Sequence, residues 1–175
     1  MNIRANHNIK NSFYFLIAML MHLPIFIYLG YQNNHSFLIS IILPIFILSL
    51  PAFLYFKNDS SLLLPNLVAI SAISFSGLLI HLGNGMIEMH FHIFIILGAL
   101  SSFGLVTPII SGVITAALHH LLFFFILPSS VFNYQASLWI VILHAVFVVL
   151  CAVPAMYIAI RIKKMICYKI QQLLH

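Results

Sequence analysis

Long apolar runs, interrupted by short polar breaks, occupy almost the whole chain. A helix needs roughly 20 mostly apolar residues to cross the hydrocarbon core of a bilayer. Six runs approach or reach that length: about 12–31, 36–56, 63–82, 86–103, 105–127 and 137–161. The strict apolar/polar alternation of a membrane barrel is absent. The pattern predicts an all-α polytopic membrane protein, a bundle of six transmembrane helices forming one membrane domain over 1–175. Its breaks carry turn chemistry, as in "HLGNG" at 81–85, where Gly83 and Gly85 are free to take positive φ. Pro65 suits a first helical turn, and Pro44 and Pro51 should kink the second helix.

Composition supports this reading. Of 175 residues 63% are hydrophobic and 5% charged, with a mean hydropathy of +1.16, whereas soluble domains carry about 25% charged residues. No room is left for a soluble catalytic domain. The chain also lacks a nucleotide loop, a HExxH zinc motif and a GxSxG elbow, so it is read as a non-enzyme. Cys151 and Cys167 form neither a disulfide framework nor a zinc ribbon.

The basic residues set the expected orientation. Arg4 and Lys10 precede the first helix, Lys57 follows the second, and Arg161, Lys163, Lys164 and Lys169 follow the sixth. With alternating helices all seven fall on one side, and the opposite loops hold none. By the positive-inside rule both termini are cytoplasmic, in a bacterial inner membrane. The first run has a basic flank like a signal peptide, but it is long, has no small-residue cleavage site and precedes further spans. The net charge of +5 is then a topology signal and a contact with the anionic leaflet, not a nucleic-acid footprint. Segment 162–175 reads as a basic tail that either continues the last helix or lies on the membrane surface.

Against this background several polar residues stand out. His22, His81, His90, His92, His119, His120 and His144 fall in or beside apolar runs, together with Glu88, the one glutamate. At a rise of about 1.5 Å per residue, His92, His119, His120 and His144 lie roughly 9–12 Å below the outer surface, and His22 roughly 13 Å. His81 and Glu88 lie nearer the surface. Four helices thus bring imidazoles to one level of the outer half. Glu88 and His92, four residues apart, share a helix face, whereas His90 points about 200° away. His119 and His120 also diverge, so two adjacent sites, or one site with supporting histidines, both accommodate the set.

Imidazole is the commonest nitrogen ligand of zinc, copper and iron, and a bundle core is where such centres are built. The set His22, Glu88, His90, His92, His119, His120 and His144 therefore predicts a transition-metal centre or a haem b held by axial histidines, with His81 at its entrance. The bland reading is that each histidine hydrogen-bonds a neighbouring helix and stabilises packing. A proton relay is the third possibility. Ser71, Ser74 and Ser76 read as small-residue packing contacts.

Four segments occur together in a recurring bacterial module: "HLP" at 22–24, "HLGNGMIEMHFHIFIILGAL" at 81–100, "HHLLFFFILPSSVF" at 119–132 and "LHAVFVVL" at 143–150. In these the chain resembles the multi-span N-terminal membrane domain of some methyl-accepting chemotaxis proteins and diguanylate cyclases. The resemblance implies a sensory role, with His22, His81, Glu88, His90, His92, His119, His120 and His144 on the module's recurrent polar positions. Where such relatives carry a charged, aromatic loop, this chain has Ser101-Ser102-Phe103-Gly104, and no kinase, cyclase or signalling region follows. The expectation is an integral membrane sensory or ligand-binding protein acting through a cytoplasmic partner or homodimer, or the input part of a longer receptor. The alternative is a small transporter or channel using the His/Glu cluster as a pathway.

Overall fold

The structure is a computed structural model that describes residues 3–172. It is all-helical: α1 (Ile3–Met21), α2 (Leu23–Gln32), α3 (Leu43–Phe56), α4 (Leu63–Leu82), α5 (Ile87–Leu100), α6 (Thr107–Ile126) and α7 (Leu138–Gln172), with no strand among the described residues. Five stretches are long and apolar enough to cross a membrane: Ala5–Gln32, Leu38–Phe56, Leu63–Leu82, Thr107–Ile126 and Leu138–Gln172. The sixth apolar helix, Ile87–Phe103, falls short of that length.

The boundaries depart from the hydropathy runs at three places. The first helix starts near the N-terminus and breaks at His22, where Pro24 enters the first turn of α2. Proline has no N–H, so a continuous helix would leave a carbonyl one turn earlier without its donor. A π turn, Leu38–Ile42, precedes α3 and absorbs the irregularity ahead of Pro44. The last helix runs unbroken through the basic segment to Gln172.

α4 is the axis of the bundle. Buried residues make up 72% of its apolar window, against 22–28% in the other spans, and it packs on α1, α3, α5 and α6. Its sequence explains the position. Ala69, Ser71, Ala72, Ser76 and Gly77 keep the backbone slim, which lets neighbours approach closely when lipid supplies no hydrophobic drive. Outside, large apolar side chains such as Phe46, Ile95, Phe125 and Trp139 are exposed, as suits helices facing lipid.

Contacts between loops and helix ends gather at two ends of the bundle. At one end the His7 ring N–H (2.8 Å) and the Asn11 amide (2.7 Å) both donate to the Ser102 carbonyl. Phe15 stacks on Phe103 at 5.3 Å, and Gly104 lies against Ile162 and Lys163. There too Asp59 accepts a hydrogen bond from the Ser61 N–H (2.7 Å), and the Ser61 hydroxyl, then this N–H, hold its carboxyl below the usual range. At the other end the Asn33 amide donates to the Leu82 carbonyl (2.6 Å) and the Asn133 N–H to the Gly85 carbonyl (3.2 Å). Gly85 has φ +74°, and a Cβ there would stand 2.6–2.8 Å from the backbone of Phe132 and Asn133. That contact lays the α6–α7 loop across the start of α5 and sets Phe132 over the histidines.

Candidate functional site

Apart from His7, the described histidines gather toward the end that holds the α4–α5 turn, in three groups with His119 between two of them. The first joins α1, α4 and α5. His22 Nδ1–H donates to the Ala18 carbonyl (2.7 Å), and its Nε2 lies 2.9 Å from Nε2 of His92. His92 Nδ1 lies 2.8 Å from the Ser76 hydroxyl. Proton counting fixes the direction of this chain. A carbonyl only accepts, so neutral His22 carries its proton on Nδ1 and offers Nε2 as a lone pair. His92 must then donate from Nε2 and accept at Nδ1 from Ser76. The Ser76 hydroxyl has one proton and two acceptors in reach, the Ala72 carbonyl at 3.2 Å and His92 Nδ1 at 2.8 Å, and the directed chain requires that it go to the nearer, His92. Phe26 and Phe75 close the chain on the bundle side, 5.2 Å apart. Removing the last donor with Ser76→Ala is expected to lower stability by about 0.6–1.7 kcal/mol, the range of interhelical hydrogen bonds in membranes. Nitrogen-15 NMR of the intact protein should show His22 as the Nδ1–H tautomer and His92 as the Nε2–H tautomer; the reverse assignment would refute the directed chain.

The second group brings together His90 of α5, His120 of α6 and His144 of α7. Their ring centres are 5.3, 5.4 and 5.8 Å apart, with the Phe132 ring over all three at 5.4–6.4 Å. Each ring donates Nδ1–H to the carbonyl one turn earlier in its own helix: His90 to Met86 (3.0 Å), His120 to Ala116 (2.9 Å) and His144 to Ile140 (2.8 Å). In the neutral rings every Nε2 is therefore a bare lone pair, the form that ligates a metal. Nε2 of His90 and of His120 is buried without a hydrogen-bond partner. The packing reading anticipated bonds to neighbouring helices; these three bonds stay within their own helices and leave the inner edges unused.

The third group lies at the surface. The rings of His35 and His81 are 4.8 Å apart. His35 Nε2–H donates to Asn84 (3.1 Å), and His81 Nδ1 is bonded to the Ser130 hydroxyl (2.7 Å). They line an open vestibule of about 930 Å³ together with Phe132 and Tyr134. His119 lies between this group and the second. It lines a cavity with His81, its ring is 5.4 Å from His120, and its Nε2 is buried and unpartnered. Gly77 makes room for it, since a Cβ there would come within 2.8 Å of the His119 ring.

The sequence-predicted residues thus divide. His22 and His92 meet, His90, His120 and His144 meet, and His81 joins His35. Glu88 joins none of them. It is exposed in the first turn of α5, where a carboxylate suits the helix dipole. Hydropathy and helical phase gave no signal for Ser76 as a partner of His92, for His35 in its polar turn, or for Phe132, which covers the triad from a loop.

Among the described residues, no group of three or more His, Cys, Asp or Glu side chains is placed so that it could hold a metal ion. Between α6 and α7, beside His120 and His144, lies a cavity of about 210 Å³. No protein-family model, curated protein or solved structure matches this chain.

Proposed function

We propose that this chain is a six-crossing protein of the bacterial inner membrane, with cytoplasmic termini, that binds a first-row transition-metal ion through His90, His120 and His144 and serves as a sensory input. One observation carries the reading: three helices present imidazoles whose Nδ1–H is tied back to its own helix, and Nε2 of His90 and of His120 is buried without a hydrogen-bond partner. Bringing the three Nε2 atoms to one point takes side-chain rotation. The ion supplies the cluster with a positive centre that the lone pairs and the Phe132 lid lack. His144 lies on α7, whose 35 residues span about 52 Å at 1.5 Å each, well beyond a core of about 30 Å. A shift of His144 on binding would run along α7, past Pro154, to Arg161–Lys169, where a cytoplasmic partner or a second copy would read it. The resemblance to chemoreceptor membrane domains agrees with this role.

The Ser76–His92–His22 chain favours a second reading, a proton pathway. It stops at the Ala18 carbonyl. Further down α1, Asn8 and Ser12 are buried, but Phe15 and Met19, 8% and 3% exposed, fill the intervening turns. An interrupted wire supports local proton sharing, not conduction. Co²⁺ titration of detergent-purified protein tests the first reading, with one ion per chain and a visible ligand-field spectrum expected. A protein that stays colourless and metal-free would overturn it.

A further inference from the structure

The end of the bundle away from the histidine groups has a cavity of its own, of about 620 Å³. One wall is a stripe of α7: Ile160, Lys163, Lys164, Cys167, Tyr168 and Gln171, related by steps of three and four residues that keep them on one helix face. The facing wall is the turn between α5 and α6, Gly104 to Thr107. Gly104, at φ +64°, lets this turn lie against α7, since a Cβ there would stand 3.3 Å from the backbone nitrogen of Lys163. The chemistry of the lining is two-sided. Leu105, Val106 and Ile160 are apolar, Lys163 and Lys164 are exposed cations, and no carboxylate among the described residues lines the cavity. From Leu138 to Ile160 α7 measures about 34 Å at 1.5 Å per residue, enough to cross a hydrocarbon core of about 30 Å. The two lysines therefore follow at the level of lipid headgroups.

We propose that this cavity binds the headgroup of an anionic phospholipid, with the phosphate held by Lys163 and Lys164 and the acyl chains laid along Ile160, Leu105 and Val106. The proposal rests on the membrane-spanning reading of the chain and is independent of the metal centre. Charge complementarity selects the occupant. A phosphodiester is a compact anion that accepts charge-assisted hydrogen bonds from ammonium groups, and two of these stand here without a competing carboxylate. The Tyr168 hydroxyl accepts from the Gln172 amide (2.9 Å) and keeps its own proton to donate. Basic pockets between membrane helices at this level hold anionic headgroups. A soluble anion would leave the apolar wall unused, whereas a diacyl lipid covers it. Once bound, the lipid ties the α5–α6 turn to α7 within the segment proposed to carry the output.

Native mass spectrometry of the full chain in neutral detergent, titrated with dioleoylphosphatidylglycerol or dioleoylphosphatidylcholine, counts the bound lipids and measures their affinity. One phosphatidylglycerol per chain should bind, about 10-fold tighter than phosphatidylcholine. Lys163→Gln with Lys164→Gln should weaken it about 10-fold. Arg161→Gln with Lys169→Gln removes as much charge from outside the lining and should change the affinity by less than about 3-fold. All four side chains are exposed, so both double variants keep the packed core. Equal losses in the two would reduce the effect to overall charge and overturn the site. Equal binding of the two lipids by the wild type would overturn it as well. Displacement of the lipid by an equal concentration of glycerol 3-phosphate would assign the cavity to a soluble anion and contradict the lipid. Co²⁺ titration reads the triad separately, so either result can fail without the other.

Discussion

Replacing His120 with alanine should weaken Zn²⁺ binding by at least about 100-fold, whereas His119→Ala should leave equilibrium affinity within a few-fold of wild type. The two residues are adjacent in sequence but about 100° apart on α6. His120 faces His90 and His144, at 5.3 and 5.8 Å between ring centres, while His119 packs on Gly77 and Phe123. Removing His120 deletes one of three donors; disturbing even an outer partner of a ligating histidine costs about 10–100-fold. Isothermal titration against a zinc chelator measures the contrast. Equal losses in both variants would show that the α6 phase does not define the site.

The second large effect is expected at Gly85. Its φ of +74° penalises an L side chain by about 1–2 kcal/mol, and the added Cβ would strike the backbone of Phe132 and Asn133. Gly85→Ala should therefore destabilise the protein by about 2 kcal/mol or more and lift the α6–α7 loop from the triad. Stability and Zn²⁺ affinity should fall together. Gly98→Ala is the matched control, since a Cβ there meets nothing within 4 Å. If Gly85→Ala kept wild-type stability, the turn would not be what anchors Phe132.

The contrast between His90 and His92 shows how far the sequence could be read. A rotation of about 100° per residue separates their faces, and in the structure one meets His120 and His144 while the other meets His22 and Ser76. Apolar runs likewise marked the helices, because crossing length depends on local composition alone. Packing between helices left no such local trace. Nothing in "NNHSF" distinguishes a loop histidine that meets His81 from one in water. Glu88 drew attention as the one glutamate, yet helix α5 begins beside it and leaves it exposed. The burial of α4 was also hidden, since all the runs are similarly apolar and only contacts show which one the others surround. His22 was placed by depth, but its role depends on the break before Pro24, a feature a hydropathy window smooths away.

Zinc-edge X-ray absorption of the purified protein, loaded with one equivalent of Zn²⁺, tests the central claim most directly. Three imidazoles at about 2.0 Å, with their outer-ring scattering, are the predicted result, and His120→Ala should lose that signature. A spectrum of oxygen ligands without imidazole scattering, or one unchanged in His120→Ala, would contradict a metal centre built from His90, His120 and His144.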